Sequence, residues 1–417
     1  MSQPVPESNN PADVRMRGFV QRSTVDEVLA WLDGVLAPLA RELVPIVTAG
    51  GRVLAEDVMA GCDVPGFERS MMDGYAVVAE HTLGAAPYQR IRFSVVDQSL
   101  PGRPAKRSID RGSVIRIMTG APLPAGADAV LPAELTEADG DDIWVQGEVS
   151  PGKNVGQVGE DIGQGCVILS APRRLRPQDI GVLSSVGIAE VPAYRQPNVR
   201  IVVTGDELLP AGTTPSGYQI TDANGPMLQA LCARDGGLPV NPGIVPDQPE
   251  AIRAAMNEDV DVVLVSGGSS VGQEDHAPLL LARDGELRFH GIAMRPSSPA
   301  GMGRLGSRLV FLLPGNPVSC LCAYDFFAGR AIRALGGRDP DWPYRSVHRT
   351  LRRKLVSAVG RVDYARVRLI DDQVEPLAIS GASILSSTSR ADGFVIIPAD
   401  SEGYAAGSLV ETWLYQP

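Results

Sequence analysis

Positive charge, cysteine and aromatic side chains are all scarce in this chain. Over 417 residues, 38 Lys and Arg face 49 Asp and Glu, a formal net charge of −11. Nucleic-acid binders draw much of their affinity from counterions released at a basic surface, which this composition does not supply, so no nucleic-acid partner is expected. The five cysteines, Cys62, Cys166, Cys232, Cys320 and Cys322, are odd in number and irregularly spaced with no CxxC pair, and the four histidines are scattered. That argues against a disulfide framework or a zinc site and for a reducing, cytoplasmic setting. No apolar run approaches the roughly 20 residues that span a bilayer, so no membrane segment is expected. The opening MSQPVPESNNPADVRMRG lacks a basic stretch followed by an apolar one. It reads as a disordered tail over 1–20 rather than a signal peptide.

What the chain has in abundance is glycine and proline, 45 and 34 residues, about a fifth of the total. With aromatics at only 5 %, this composition suggests many turns and backbone-lined loops, not a helical bundle. The length suits two to four domains. Thr24 and Glu27 make a capping box ahead of Val25, Val28, Leu29, Leu32, Val35, Leu36 and Leu39 at helical spacing, which predicts an amphipathic helix. Short β-like runs broken by Gly and Pro predict a β-rich module over 46–140. The glycine-punctuated 141–174 reads as a connector, grouped with 21–45 as a linker lobe.

Beyond it the period changes. NVRIVVTGDEL, DVDVVLVSGGSS and SRLVFLLPGNP are apolar, β-branched runs that each end in a polar, Gly-rich loop. Helix-like stretches lie at 226–235, 248–257, 277–283 and 318–335. Buried strands alternating with helices predict a parallel αβα sandwich over 175–335. Period-2 fragments such as DYARVRL, GFVIIPA and SLVETWLY predict a small C-terminal β-barrel over 336–417. The fold class is therefore α/β and multidomain.

In an open parallel sheet, ligands bind outside the carboxyl ends of the strands. Three strand-ending loops should converge there: Thr204-Gly205-Asp206-Glu207, Ser266 to His276, and Pro314-Gly315-Asn316-Pro317-Val318-Ser319. Backbone amides and hydroxyls of the second, including Ser269, Ser270 and Gly272, suit a phosphate or another oxyanion, as does the tight turn of the third. Glu207 and Asp275 would repel such a ligand unless a divalent cation such as magnesium lay between them. The competing reading makes these glycines plain turns and Asp206 or Glu207 a helix cap. Asp73 in SMMDGYA is either turn chemistry or part of a site, and the same two readings stand for Thr119 in MTGA and Asp161 in GEDI. His276 either orients Asp275 or is an ordinary loop residue. Cys320 and Cys322 read as core packing.

SMMDGYAV, IMTGAPLPAGADAV, GEDI, VVTGDEL, NGPML, SGGSSVGQEDH and LPGNPVS, in this order over more than half the chain, resemble the molybdopterin molybdenumtransferase family. That family is often called MoeA and includes the E domain of gephyrin. The resemblance implies an elongated protomer with a linker lobe, an inserted β module, a molybdopterin-binding αβα domain and a C-terminal β-barrel. It also implies a homodimer in which the β module of one protomer faces the αβα domain of the other. The implied reaction joins molybdate to the dithiolene of adenylylated molybdopterin and releases AMP. By the same resemblance, Asp73, Thr119, Asp161, Glu207 and Asp275 are catalytic, and Glu207 and Asp275 serve the cation. Gly205, Ser269, Ser270, Gly272, Pro314, Gly315, Asn316, Pro317 and Ser319 would hold the adenylylated pterin. The adenylyltransferase that supplies it and the apo-molybdoenzymes that accept the product are implied partners.

The chain departs from the family at the implied molybdate pocket. Many members read Met-Lys-Pro-Gly-Lys-Pro there, whereas this chain has Met294-Arg295-Pro296-Ser297-Ser298-Pro299. Arg295 keeps a permanent charge, but Ser298 replaces an ammonium with a neutral hydroxyl. Arg366 and Ser386 match a family arginine and serine of that pocket. Arg304 and the segment from Gly360 to Arg366 are candidates to restore the missing charge. Without compensation, the lost contact would weaken the anion by about 1 to 3 kcal/mol, roughly ten- to a hundredfold in affinity. Two other readings follow from the same residues: a non-catalytic molybdopterin-binding or scaffolding relative, and a tungstate-preferring paralogue.

Overall fold

The computed structural model describes residue 19 and residues 22–268 and 275–415. The chain divides into two compact units, one formed by residues up to Glu42 together with those from Tyr194 on, the other by Leu43–Ala193.

The first unit opens with the helix Val25–Val35. The Thr24 amide donates to Glu27 Oε2 at 2.8 Å, and the Glu27 amide donates to Thr24 Oγ1 at 3.2 Å. Two donors that a helix start leaves without partners are thus satisfied reciprocally. The helix buries Val25, Val28 and Leu32 in the same apolar core as the αβα strands. It therefore belongs to that unit, and 141–174 lies in the other.

The β-branched runs form Asn198–Thr204, Val262–Ser266 and Arg308–Leu313, the centre of a seven-stranded sheet. Along the sheet the order is Leu238–Val240, Asn198–Thr204, Val262–Ser266, Arg308–Leu313, Gly301–Leu305, Glu286–His290, with Ile244–Val245 also paired to Asn198–Thr204. The first four strands are parallel. Successive side chains go to opposite faces. Ile201, Val203 and Leu264 pack with the helix Asn224–Asp235 and the 317–335 segment, while Val202, Val263 and Val265 pack with Pro249–Met256 and Ala277–Asp284. Burial on both faces is why these strands read as unbroken apolar runs.

The last two strands are antiparallel, an edge hairpin that the sequence pattern does not announce. Gly303 explains why: a Cβ there would lie 1.8 Å from the Glu286 carbonyl oxygen, so the strand carries glycines that read as a loop. The expected helix over 318–335 is also interrupted, running as Pro317–Ala323, a π-helical turn Tyr324–Ala328, and Gly329–Leu335.

The C-terminal strands close into a barrel. Val362–Ile370 lies between Gln373–Ala378 and Gly393–Ile397, and Arg345–Leu351 with Leu409–Leu414 completes the ring. Leu351, Leu355, Ala365, Val367, Val374, Val395, Ile397 and Val410 fill it. Met294–Arg295 adds to its edge in parallel with Val362, placing Arg295 opposite Asp363.

The second unit holds a six-stranded sheet in the order Ala129–Pro132, Gly74–Val77, Ser113–Ile117, Ile91–Ser99, Asp142–Val145, Thr136–Asp139. The sheet thus extends past residue 140, because DIWV alternates burial and pairs with Ile91–Ser94. Val53–Leu54 and Val58–Met59 pair instead with Arg173–Arg174 and Val167–Leu169. Among the described residues no helix is long and apolar enough to cross a membrane.

Candidate active site

At the carboxyl ends of the parallel strands the three loops meet. A Cβ on Gly267 would sit 2.2 Å from the Thr204 carbonyl oxygen, and Gly267 has φ +95°. Only glycine lets the first and second loops approach this closely. The Asn224 amide nitrogen then donates to Ser266 Oγ at 2.9 Å and to the Gly315 carbonyl at 2.8 Å, tying the third loop to the second. These contacts frame a cavity of about 640 Å³ lined by Gly205, Glu207, Asp222, Asp247, Gly267, Asp275, Gly315, Asn316 and Pro317 among others. Asn224 Oδ1 is buried without a partner among the described residues. Ser269, Ser270 and Gly272 lie outside the described residues.

Asp222 and Asp247 were not singled out from the sequence. Asp222 Oδ1 accepts from the Gly225 amide at 2.9 Å, which in sequence reads as an ordinary helix start. Asp247 accepts from Thr204 Oγ1, a pairing across 43 residues that no local pattern reveals. Among the described residues no three metal-binding side chains converge into a ready-made metal cage. The wall nevertheless offers carboxylate oxygens, the hard donors that magnesium prefers, and magnesium takes few protein ligands while keeping waters and substrate phosphates.

A second cavity of about 790 Å³ shares the Gly315–Asn316 wall. Its lining includes Arg22, Arg295, Ser297, Ser298, Pro314, Ser319, Arg361 and Ser380. Ser297 has φ 87°, a backbone conformation that costs a non-glycine residue energy. Its hydroxyl donates to the Ser319 carbonyl at 2.5 Å, which fixes the 295–299 turn against the helix Pro317–Ala323. Asp363, wholly buried, accepts from Arg295 Nη2, from Arg361 Nε at 3.1 Å and from Ser357 Oγ at 2.8 Å. Arg295 Nε and Ser298 Oγ are buried with no partner among the described residues. Donors left in that state in a cationic cavity suit an anionic ligand.

Of the other residues expected here, Arg366 is fully buried and donates to the Ser380 carbonyl, behind the cavity wall. Its Nε and Nη1 have no partner among the described residues. Ser386 is exposed, begins the short helix Ser386–Ser389 and lines neither cavity. Arg304 sits in the strand Gly301–Leu305, next to the sheet edge and again away from both. Arg22 and Arg361 also line the second cavity. Arg22 falls just ahead of the capping box, where nothing local marks it as functional.

In the second unit, Asp73 Oδ1 accepts from the Thr119 amide at 2.7 Å and from Thr119 Oγ1 at 2.8 Å. These bonds, the backbone one foremost, hold the exposed Asp73 carboxyl below the usual range. Asp161 is exposed beside Glu160, which pairs with Arg69 at 3.0 Å. None of Asp73, Thr119 and Asp161 lines either cavity described above.

Residues 23–187 match the MoeA N-terminal region (domain I and II), 200–334 the family described as "Probable molybdopterin binding domain", and 349–415 the MoeA C-terminal region (domain IV). The chain is 33 % identical over 383 residues to molybdopterin molybdenumtransferase 2 of Mycobacterium tuberculosis, covering 89 % of this chain and 94 % of that protein. The chain belongs to the MoeA family. It is also 32 % identical over 385 residues to the molybdopterin molybdenumtransferase of Haemophilus influenzae, covering 89 % of this chain and 93 % of the relative. Its fold resembles the crystal structure of the molybdopterin biosynthesis MoeA protein from Pyrococcus horikoshii, with a TM-score of 0.80 and 32 % identity over 95 % of this chain and 100 % of that one. MoeA membership accounts for the closed C-terminal barrel and for the αβα unit whose strand ends carry the cleft.

Proposed function

We propose that the chain is a molybdopterin molybdenumtransferase, which joins molybdate to adenylylated molybdopterin and releases AMP. The observation that carries this reading is the pair of cavities meeting at Gly315–Asn316, one walled by carboxylates and backbone amides, the other by arginines. The adenylylated pterin would lie along the strand-end cleft, against Gly205, Gly315, Asn316 and Pro317, with Ser269, Ser270 and Gly272 completing the contact. Molybdate would occupy the arginine cavity next to it, among Arg295, Ser297, Ser298 and Ser319. Holding both reactants across one shared wall turns a bimolecular encounter into a positioned one.

Glu207 and Asp275, with Asp222 and Asp247 beside them, would hold magnesium against the phosphates. The ion would offset the developing negative charge of the leaving phosphate. No covalent protein nucleophile is needed: a water would attack the phosphoanhydride and free AMP, while the two dithiolene sulfurs would displace molybdate oxygen, which leaves as water. Asp73, Thr119 and Asp161 would reach the site from the partner of a homodimer, with the Asp73 carboxylate kept ionised by Thr119. The setting would be the cytoplasm, with the adenylyltransferase and apo-molybdoenzymes as partners. Asp275→Ala tests the cleft: it should abolish AMP release while the mass in solution stays that of the wild type. Full activity in that variant would refute the assigned role.

A further inference from the structure

By the resemblance set out from the sequence, Ser298 stands where many family members carry a lysine, so the oxyanion cavity would be one ammonium short of that pattern. The replacement charge has to come from a side chain whose position is fixed, because a mobile surface cation adds little to a small anion's affinity. Arg22 lines the cavity but is exposed, and among the described residues no acid holds it. Arg304 does not line the cavity, and Arg366 lies behind its wall. Arg361 is different: it lines the cavity with its side chain 35 % exposed, and Asp363, 0 % exposed, takes its Nε at 3.1 Å. The same carboxylate holds Arg295 and the Ser357 hydroxyl.

We propose that Arg361, clamped by the buried Asp363 carboxylate, is the second oxyanion-binding cation of this chain and takes over the task of the ammonium missing at Ser298. The inference rests on the reading of this cavity as the molybdate site. One carboxylate between two guanidiniums leaves one net positive charge at the wall, and it orients both forks. Arg361 spends its Nε on Asp363, and its two Nη groups donate to no protein atom among the described residues. A planar fork with free Nη groups matches two oxygens of a tetrahedral oxyanion, which a lysine could contact only as a point charge. Asp363 is a positioning residue: it lies opposite Arg295 across the parallel pairing of Met294–Arg295 with Val362–Ile370, so the cation pair is built where barrel and αβα sheet join.

The test uses the full chain and two readouts. Equilibrium dialysis with radiolabelled molybdate measures the anion directly, and molybdate-dependent AMP release measures turnover. Arg361→Ala should weaken molybdate binding about ten- to a hundredfold, raising the molybdate KM with little change in kcat or in affinity for adenylylated molybdopterin. Ser298→Lys placed in Arg361→Ala should recover most of the loss, since it restores a cation at the family position. Asp363→Asn should reproduce part of the KM effect with the thermal midpoint monitored alongside, and Asp363→Glu should restore it. Wild-type molybdate binding in Arg361→Ala, failure of Ser298→Lys to rescue, or absence of molybdate binding in the wild type would each overturn the proposal. Molybdate binding that depends on Arg361 without AMP release would instead preserve it and refute the transferase reading.

Discussion

Thr119 supplies Asp73 with two donors from one residue, the amide and the hydroxyl. A carboxylate favoured in this way titrates lower in the folded protein than in the unfolded chain. Its stabilisation is therefore present above the ordinary carboxylate pKa of about 3.9 and is lost as pH falls through the lowered folded value. Thr119→Val keeps the amide and removes the hydroxyl, so the Asp73 titration should move part of the way back up, as read by carboxyl NMR. An unchanged titration would contradict the assigned geometry. The sequence presents Asp73 and Thr119 as two motifs 46 residues apart and does not join them; the fold does. Asp363 is harder still to see, a single acid in the alternating strand VDYARVRL whose partners Arg295 and Ser357 come from other segments. Ser386, which the resemblance assigns to the oxyanion pocket, is exposed at the start of the short helix Ser386–Ser389.

At the level of elements, signals confined to one segment were legible. The Thr24 capping box and the β-branched runs correspond directly to a helix start and to three central strands, because capping and two-faced burial each leave a local imprint. Features that depend on distant pairing were not. The π-helical turn Tyr324–Ala328 holds the buried Asp325, which meets Arg234 at 3.0 Å from the helix Asn224–Asp235. The same helix surroundings bury Cys232, Cys320 and Cys322, and burial pushes the Cys232 and Cys320 thiols up to about 12. A thiol held neutral is a poor nucleophile. A thiol reagent at about pH 8 should therefore label Cys62 and Cys166, both exposed, and reach the other three only after denaturation. Rapid reaction of any of those three in the native protein would contradict the packing of the 317–335 segment.

For the whole molecule, the scarcity of positive charge takes on a different meaning once the site is in view. A net charge of −11 disfavours long polyanions, whose binding needs an extended basic surface. It does not disfavour a small oxyanion, which needs only a few fixed donors: here Arg295 and Arg361, both held by Asp363 in one cavity, beside a cleft lined by glycines and carboxylates. The abundant glycine finds part of its reason in the same place, at Gly267, where two strand ends nearly touch. The two cavities together make one claim about the molecule, that it brings an adenylylated pterin and a metal oxyanion into contact. The most direct measurement is AMP release from adenylylated molybdopterin, with magnesium present, as molybdate is varied. Release should rise with molybdate to saturation and parallel activation of an apo-molybdoenzyme. Tight binding of the adenylylated pterin with no molybdate-dependent AMP release would contradict it and mark the chain as a binding protein on a transferase fold.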